Sequence, residues 1–128
     1  MKDTGRNSHI RKMSPQFRVA DLERSIEFYT QRLGFKVEFR YEDFYAEVMR
    51  DGCSIHLKLT DPGNDEMEIK AKNEDLDVVF SVDNIEKLFR ELSVNGVEII
   101  QSLRQMPYGR EFYIADPDRH IFAFVEEK

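Results

Sequence analysis

The chain has 128 residues, a length at which a single domain is the expectation, and 41% of them are hydrophobic while 34% are charged. This composition is typical of a soluble globular protein, and because no apolar run approaches the roughly 20 residues needed to cross a bilayer, it excludes a membrane-spanning one. A net charge of −6 repels phosphate backbones and disfavours nucleic acid as a partner.

The first residues of the chain differ from the rest. Residues 1–13 show no periodicity, so we expect a flexible tail there. Four basic residues against Asp3 give residues 1–12 a local charge of +3, which leaves −9 for the remainder, a field that attracts a cationic small molecule. The tail lacks the apolar stretch of a secretory signal, and the single cysteine, Cys53, cannot form an intramolecular disulfide. We therefore expect a cytoplasmic protein.

The first half of the remaining chain predicts one strand, one helix and three further strands. The strands are expected at Phe17–Val19, Phe35–Tyr41, Phe44–Met49 and Cys53–Leu59. Asp21 can cap the first turn of the helix, and Gly34 can adopt the left-handed conformation that ends it. Simple alternation places Phe39 on the same face as Phe35, so a position in the core is one interpretation of this ring. Cys53 likewise shares the apolar parity of its strand and is expected in the core.

The second half repeats this order after the pattern is broken at Asp61–Asp65. Strands are expected at Leu76–Val82, Val97–Leu103, Arg110–Ala115 and His120–Val125. Asp83 with Glu86 resembles a capping box at the start of the second helix, and Asn95-Gly96 ends it.

The repeat predicts the fold class. The glycines that end the two helices, Gly34 and Gly96, lie 62 residues apart, and an internal repeat is stronger evidence for a fold than any single element. We predict an α+β domain over residues 14–128, made of two βαβββ modules, 14–60 and 75–127. A single helix covers one face of each sheet, so the other face stays open, and two such open faces can enclose a concave cavity.

Several short motifs connect this repeat to a known superfamily. They are Arg18-Val-Ala-Asp-Leu22, Phe28-Tyr29 and Leu33-Gly34-Phe35 in the first module, and Ser81-Val-Asp83 and Asp116-Pro-Asp118 in the second. On these residues the chain resembles the vicinal oxygen chelate superfamily, which includes glyoxalase I, extradiol dioxygenases and bleomycin resistance proteins. The resemblance covers nearly all of residues 14–127 and implies the fold, but the superfamily contains both enzymes and non-catalytic binders.

The resemblance also identifies the positions where metal-dependent members hold their metal. Here these positions are occupied by Ser14, His56, Asp77 and Ala123. Alanine cannot ligate and serine is a poor ligand, so two candidates remain where a catalytic zinc normally has three protein ligands. We therefore expect neither a metal nor another cofactor.

Within the superfamily the chain is most similar to the bleomycin resistance proteins, which sequester a drug without transforming it. The segments Gly34-Phe35 to Arg50-Asp51 and Pro107-Tyr-Gly-Arg-Glu-Phe112 carry this similarity. It implies that Phe39, Phe44 and Tyr108 line a cleft between two subunits and stack on planar groups of a ligand. The chain has no Trp, which places bleomycin itself in doubt as the ligand.

Two polar residues complete the expected ligand site. His56 alternates with the apolar residues of its strand and is therefore predicted to face the cavity. Only one of Arg110 and Glu111 can do so, because neighbouring strand residues point to opposite faces, and parity with Phe112 favours Arg110.

Two functions from different classes follow from these residues. The first is a non-catalytic protein that binds a planar or cationic, antibiotic-like small molecule and acts in antibiotic resistance. The second is a glyoxalase-like lyase or transferase that uses His56 and an incomplete metal site. In either case we expect a homodimer, because each module leaves an open sheet face, and the resemblance implies exchange of the amino-terminal arms near Pro15.

Overall fold

The computed structural model describes residues 8–60 and 76–128, which form eight strands and two helices. The elements in chain order are β1 (Gln16–Val19), α1 (Leu22–Glu27, continued by a π-helical turn Phe28–Arg32), β2 (Lys36–Tyr41), β3 (Tyr45–Arg50), β4 (Cys53–Leu59), β5 (Leu76–Ser81), α2 (Ile85–Val94), β6 (Glu98–Met106), β7 (Gly109–Ala115) and β8 (Ile121–Glu127). The predicted tail residues 1–7 and the break at Asp61–Asp65 lie outside the described residues.

The strands form two four-stranded sheets of identical topology. The first sheet has the order β1-β4-β3-β2 and the second has the order β5-β8-β7-β6. In each sheet the first strand is parallel to its neighbour and the other pairs are antiparallel. The predicted α+β fold of two βαβββ modules is thereby confirmed; the exact limits of the modules stay a prediction.

Local signals at the first helix act as the sequence indicates. The side chain of Asp21 accepts a hydrogen bond from the backbone nitrogen of Arg24 at 3.1 Å, and Gly34 has a φ of 77° after the last turn.

The start of the second helix differs from the predicted capping box. Its N-cap is Asn84 in a left-handed conformation, and no side chain of that turn caps the helix. Instead, the carboxylate of Glu126 on β8 accepts hydrogen bonds from the backbone nitrogens of Asn84 and Ile85. Those two bonds keep the pKa of Glu126 below its ordinary value despite opposing desolvation. The strand beside the helix thus supplies the cap.

A bulge in β2 changes which side chains face the helix. Val37 pairs with Val48 whereas Phe39 pairs with Glu47, so Glu38 is an extra residue in the strand. Val37 faces the helix-covered side with buried Val48, and Phe39 faces the open side with Glu47. The expectation that Phe39 shares the core face of Phe35 is therefore wrong.

The helix-covered faces of the two sheets share one hydrophobic core. Buried side chains from β1, β3 and β4 pack in the same cluster as those from β7 and β8, and the rings of Phe17 and Phe122 contact each other across the modules at 5.6 Å. Because the modules pack through these faces, their open faces point outward on opposite sides of the chain.

A buried polar cluster joins the two modules at the turn between β7 and β8. The Asp116 carboxylate accepts hydrogen bonds from the Tyr29 hydroxyl at 2.7 Å, from the His120 ring at 2.8 Å, and from the backbone nitrogens of Asp118 and His120. The His120 ring stacks on Phe17 with centroids 4.3 Å apart. Burial opposes the charged form of His120, but the hydrogen bond and charge of Asp116 outweigh it and raise its pKa. Nothing in the sequence singled out His120.

Asp118 reinforces this junction from the same turn. Its carboxylate accepts hydrogen bonds from the backbone nitrogen of Ala20 at 2.9 Å and from the side chains of Arg24 and Ser25, both at 3.2 Å. The Asp116-Pro-Asp118 motif therefore holds the second module against β1 and α1 of the first.

A cavity of about 600 Å³ lies between the modules on the helix-covered side. The Arg50 guanidinium at its edge is already bonded to the carbonyl of Leu33 and to Glu91. Cys53 lines this cavity and is exposed, so the expectation of a core cysteine is wrong: it is the first residue of its strand, where the sheet ends. No helix among the described residues is long and apolar enough to cross a membrane.

Candidate functional site

Strand register arranges the side chains on the open face of the first sheet in rows. Across the sheet the rows contain Ser54, Met49 and Lys36; Gln16, His56, Glu47 and Phe39; and Arg18, Lys58, Tyr45 and Tyr41. We call this surface face A. His56 lies near its centre, on the side that the alternation of its strand predicts.

Hydrogen bonds fix the orientation of the His56 ring. Its Nδ1 lies 2.9 Å from the hydroxyl of Tyr45, and that hydroxyl accepts a bond from the Gln16 amide at 2.8 Å. When the Tyr45 hydroxyl donates to Nδ1, the ring proton of His56 lies on Nε2. Nε2 lies 3.6 Å from the Glu47 carboxylate. The ring is therefore held between a hydroxyl and a carboxylate.

Glu47 is the one buried acid of face A among the described residues, with 4% of its surface exposed. Lys12 and the hydroxyl of Ser54 both donate to its carboxylate, and Ser14 donates in turn to Ser54 at 2.7 Å. These hydrogen bonds, led by that of Lys12, outweigh burial and lower the pKa of Glu47. Glu47 is therefore ionised at neutral pH, and contact between the amino-terminal segment and the sheet begins before Ser14.

Aromatic rings stand beside this polar network. The rings of Phe39 and Tyr45 are nearly parallel, with centroids 6.2 Å apart, and the His56 ring is perpendicular to both. Phe44, in the turn after β2, makes an edge contact with Tyr41 at 5.5 Å. Phe39 is 44% exposed and Phe44 is 41% exposed. Large apolar rings left to water at a polar site are typical of surfaces that bind planar groups.

The open face of the second sheet, face B, carries a second polar centre. Its rows contain Val79, Ala123, Tyr113 and Gln101, and Ser81, Val125, Glu111 and Arg104. Glu111 is 2% exposed and accepts hydrogen bonds from Arg104, from the Tyr113 hydroxyl, and from the Tyr108 hydroxyl at 2.6 Å. Burial opposes ionisation of Glu111, but these donors outweigh it and lower its pKa. Tyr108 is 48% exposed, so its hydroxyl is fixed while its ring remains accessible.

Arg110 lies on the side opposite to the predicted one. Its guanidinium contacts Glu126 at 3.1 Å and Glu86 of α2 at 3.4 Å, and neighbouring Phe112 is fully buried in the core. Parity with Phe112 therefore places Arg110 on the helix-covered side and Glu111 on the open side. Parity with Phe112 predicts Arg110 only if Phe112 lines the cavity; because Phe112 is a core residue, the residue that faces the open side is Glu111.

The four positions that hold the metal in metal-dependent members of the superfamily do not form a metal site in this chain. Ser14 and His56 belong to face A, whereas Ala123 belongs to face B and has no ligating atom. Asp77 accepts a hydrogen bond from the backbone nitrogen of Ile121 at 2.8 Å, and its charge raises the pKa of His120 in the junction between modules. No group of three or more His, Cys, Asp or Glu side chains suited to a metal occurs in residues 8–60 and 76–128. The residues present therefore do not fit the metal.

Comparison with known proteins identifies similar sequences and a similar fold. A sequence model of the Glyoxalase/Bleomycin resistance protein/Dioxygenase superfamily matches residues 8–124. A lactoylglutathione lyase of Escherichia coli O157:H7 is 26% identical over 93% of this chain and 94% of its own length. A bleomycin resistance protein of Staphylococcus aureus is 27% identical over 88% of this chain and 94% of its own.

A solved structure agrees with the fold. The bleomycin-binding protein of Streptomyces verticillus, in complex with copper(II)-bleomycin, superposes with a TM-score of 0.72 at 18% identity, covering 94% of this chain and 99% of the other. At that identity the similarity concerns the fold. The proteins similar to this chain include a lyase, bleomycin resistance proteins and a bleomycin-binding protein.

Proposed function

The chain belongs to the Glyoxalase/Bleomycin resistance protein/Dioxygenase superfamily, and from this premise we propose that it binds a planar small organic molecule without transforming it. The observation that carries the proposal is the exposure of Phe39 beside Tyr45 on an open sheet face, above a polar network whose members are bonded to each other. Rings held in this way lose little conformational entropy when a flat ligand stacks on them.

Within residues 8–60 and 76–128 no set of side chains fits a metal, which supports binding over metal-assisted chemistry. His56 and Glu47 can orient a polar group of the ligand, but Ala123 leaves the second sheet without a ligating atom at the matching position. The similarity to bleomycin resistance proteins, which extends over 88% of the chain, supports the same choice.

We further propose that the protein is a homodimer. The modules of one chain pack through their helix-covered faces, so faces A and B of the same chain point away from each other and cannot enclose a ligand together. A second copy can set its face B against face A, so that Tyr108 and Glu111 of one chain oppose Phe39 and His56 of the other. The carbonyl of Pro15 accepts a hydrogen bond from the backbone nitrogen of His56 in the same chain at 2.9 Å. Exchange of the arms before Pro15 stays a prediction.

The experiment that tests binding is a thermal-shift screen of planar aromatic compounds, followed by titration of the best compound into two variants. Phe39→Ala is expected to weaken its affinity about fivefold or more, because stacking of a planar group on one aromatic ring contributes about 1–3 kcal/mol. Val94→Ala removes an apolar side chain that is 85% exposed, against 44% for Phe39, but lies on α2, and should leave affinity unchanged. If Phe39→Ala, like Val94→Ala, bound the compound as tightly as the parent protein, ligand binding on face A would be refuted.

A second candidate function is that of an enzyme that uses His56 for proton transfer. The contacts of His56 with Tyr45 and Glu47 favour it. The ring proton on Nε2 faces a carboxylate, an arrangement that suits a general base. This candidate predicts turnover of lactoylglutathione, the compound named in the Escherichia coli relative, with a loss of about a hundredfold or more in His56→Ala. Absence of turnover with and without added divalent metal would exclude that substrate.

A further inference from the structure

We propose that the ligand of face A carries an anionic group, a carboxylate, sulfonate or phosphate, and that Lys58 binds it. This inference deepens the proposed function and rests on it, because it concerns the ligand that stacks beside Phe39 and Tyr45. It differs from the expectation based on net charge alone, under which an acidic protein attracts a cation.

Face A is basic although the chain is acidic. Among the described side chains that strand register places on or against this face, four are basic, Lys12, Arg18, Lys36 and Lys58, and one is acidic, Glu47. The whole chain carries a net charge of −6. The positive charge on this face is therefore a local feature that opposes the overall balance.

The single carboxylate does not cancel this positive charge at the position of Lys58. Glu47 is buried and occupied by Lys12 and Ser54, and it lies opposite His56 in the register, one row away from Lys58. Arg18 has a partner of its own. Lys58 is exposed and makes no ion pair with any of the residues that the structure describes. Lys36 likewise makes no ion pair with a described residue, but it lies two rows away from Tyr45, so Lys58 carries the available ammonium group in the row of Tyr45.

Strand register places Lys58 directly opposite an aromatic residue. Lys58 pairs directly with Tyr45 across β3 and β4, and directly opposed side chains on one sheet face have Cβ atoms about 4.5–5.5 Å apart. A flat ligand lying over Tyr45 and Phe39 therefore places a substituent within reach of Lys58. On face B the Glu111 carboxylate is already bonded to Arg104, so an opposing face B would not repel an anion.

The test uses two fluorescent probes of the same shape and different charge. The anion 8-anilino-1-naphthalenesulfonate and the neutral N-phenyl-1-naphthylamine differ by one sulfonate. We expect the anion to bind about fivefold or more tightly at low ionic strength, and Lys58→Gln to remove most of that difference while leaving the neutral probe unchanged. Arg90→Gln removes the same charge from exposed Arg90 on α2 and should change neither affinity.

The Phe39→Ala variant separates the two proposals. If Phe39→Ala weakens the affinity for both probes, binding on face A stands. The anionic group is nevertheless refuted if the parent binds both probes equally tightly, or if Lys58→Gln leaves the affinity for the anion unchanged. If Phe39→Ala leaves both affinities unchanged, or if neither probe binds, the proposed function and the inference fall together.

Discussion

Removal of the Asp116 carboxylate tests how the two modules are held together. Four donors bond to this buried carboxylate: the Tyr29 hydroxyl, the His120 ring and two backbone nitrogens. Since each such bond contributes about 1 kcal/mol and each buried donor left without a partner costs at least as much, Asp116→Ala should lower the free energy of unfolding by about 4 kcal/mol. Tyr29→Phe removes one of these bonds and keeps the ring, so it should cost about 1 kcal/mol.

The same cluster makes stability depend on pH. The pKa of His120 in the folded protein is raised, because the bond and charge of Asp116 overcome the opposing effect of burial. A pKa that is higher in the folded than in the unfolded protein stabilises the fold. This stabilisation is complete at a pH below the pKa of the unfolded state, about 6.5, and is lost as the pH rises through the pKa of the folded state. The parent protein should therefore lose stability between about pH 6.5 and alkaline pH, and Asp116→Asn should lose less over the same range.

Urea unfolding followed by circular dichroism, at one protein concentration and at pH 6 and pH 9, measures both effects. The fixed concentration removes any contribution from association. A loss below 1 kcal/mol for Asp116→Ala, or the same pH dependence in Asp116→Asn as in the parent, would show that the cluster does not join the modules in this way.

Four further outcomes are expected. Tyr108→Ala should keep nearly all stability, because the ring is about half exposed, yet weaken a planar ligand about fivefold or more in titration; unchanged affinity would remove Tyr108 from the site. Glu111→Gln should lower the melting temperature by several degrees, since the buried carboxylate accepts from Arg104 and two tyrosines; an unchanged value contradicts this. Light scattering at micromolar concentration should give twice the chain mass of 15.2 kDa, and a monomer mass would refute the dimer. Chelator should leave the melting temperature unchanged, and a substantial drop would show that His56 belongs to a metal site.

The secondary structure could be predicted because its signals are local. Alternation of apolar residues marked all eight strands, and Asp21 and Gly34 marked the limits of the first helix. The repeat then fixed the order of the elements, since the two helices end in the same kind of turn.

The site was less predictable because it depends on contacts between distant parts of the chain. The bulge at Glu38 exists only relative to β3, so alternation within β2 placed Phe39 on the wrong face. To decide between Arg110 and Glu111, one must know that Phe112 is buried under α2. The hydrogen bonds of Asp116 to Tyr29 and of Asp118 to Ser25 join residues that are 87 and 93 positions apart in the chain. No local pattern near His120 predicts these hydrogen bonds.

The bulge at Glu38 bears on how ligand preference can diverge among related proteins. In a regular strand, the side chains after Val37 that face the ligand would be Glu38 and Arg40; with one extra residue accommodated, they are Phe39 and Tyr41. The same amino-acid sequence would thus present a charged edge in a regular strand, and it presents an aromatic edge because the bulge takes up Glu38. Insertions and deletions in this edge strand are therefore as informative about ligand chemistry as substitutions at His56 or Lys58.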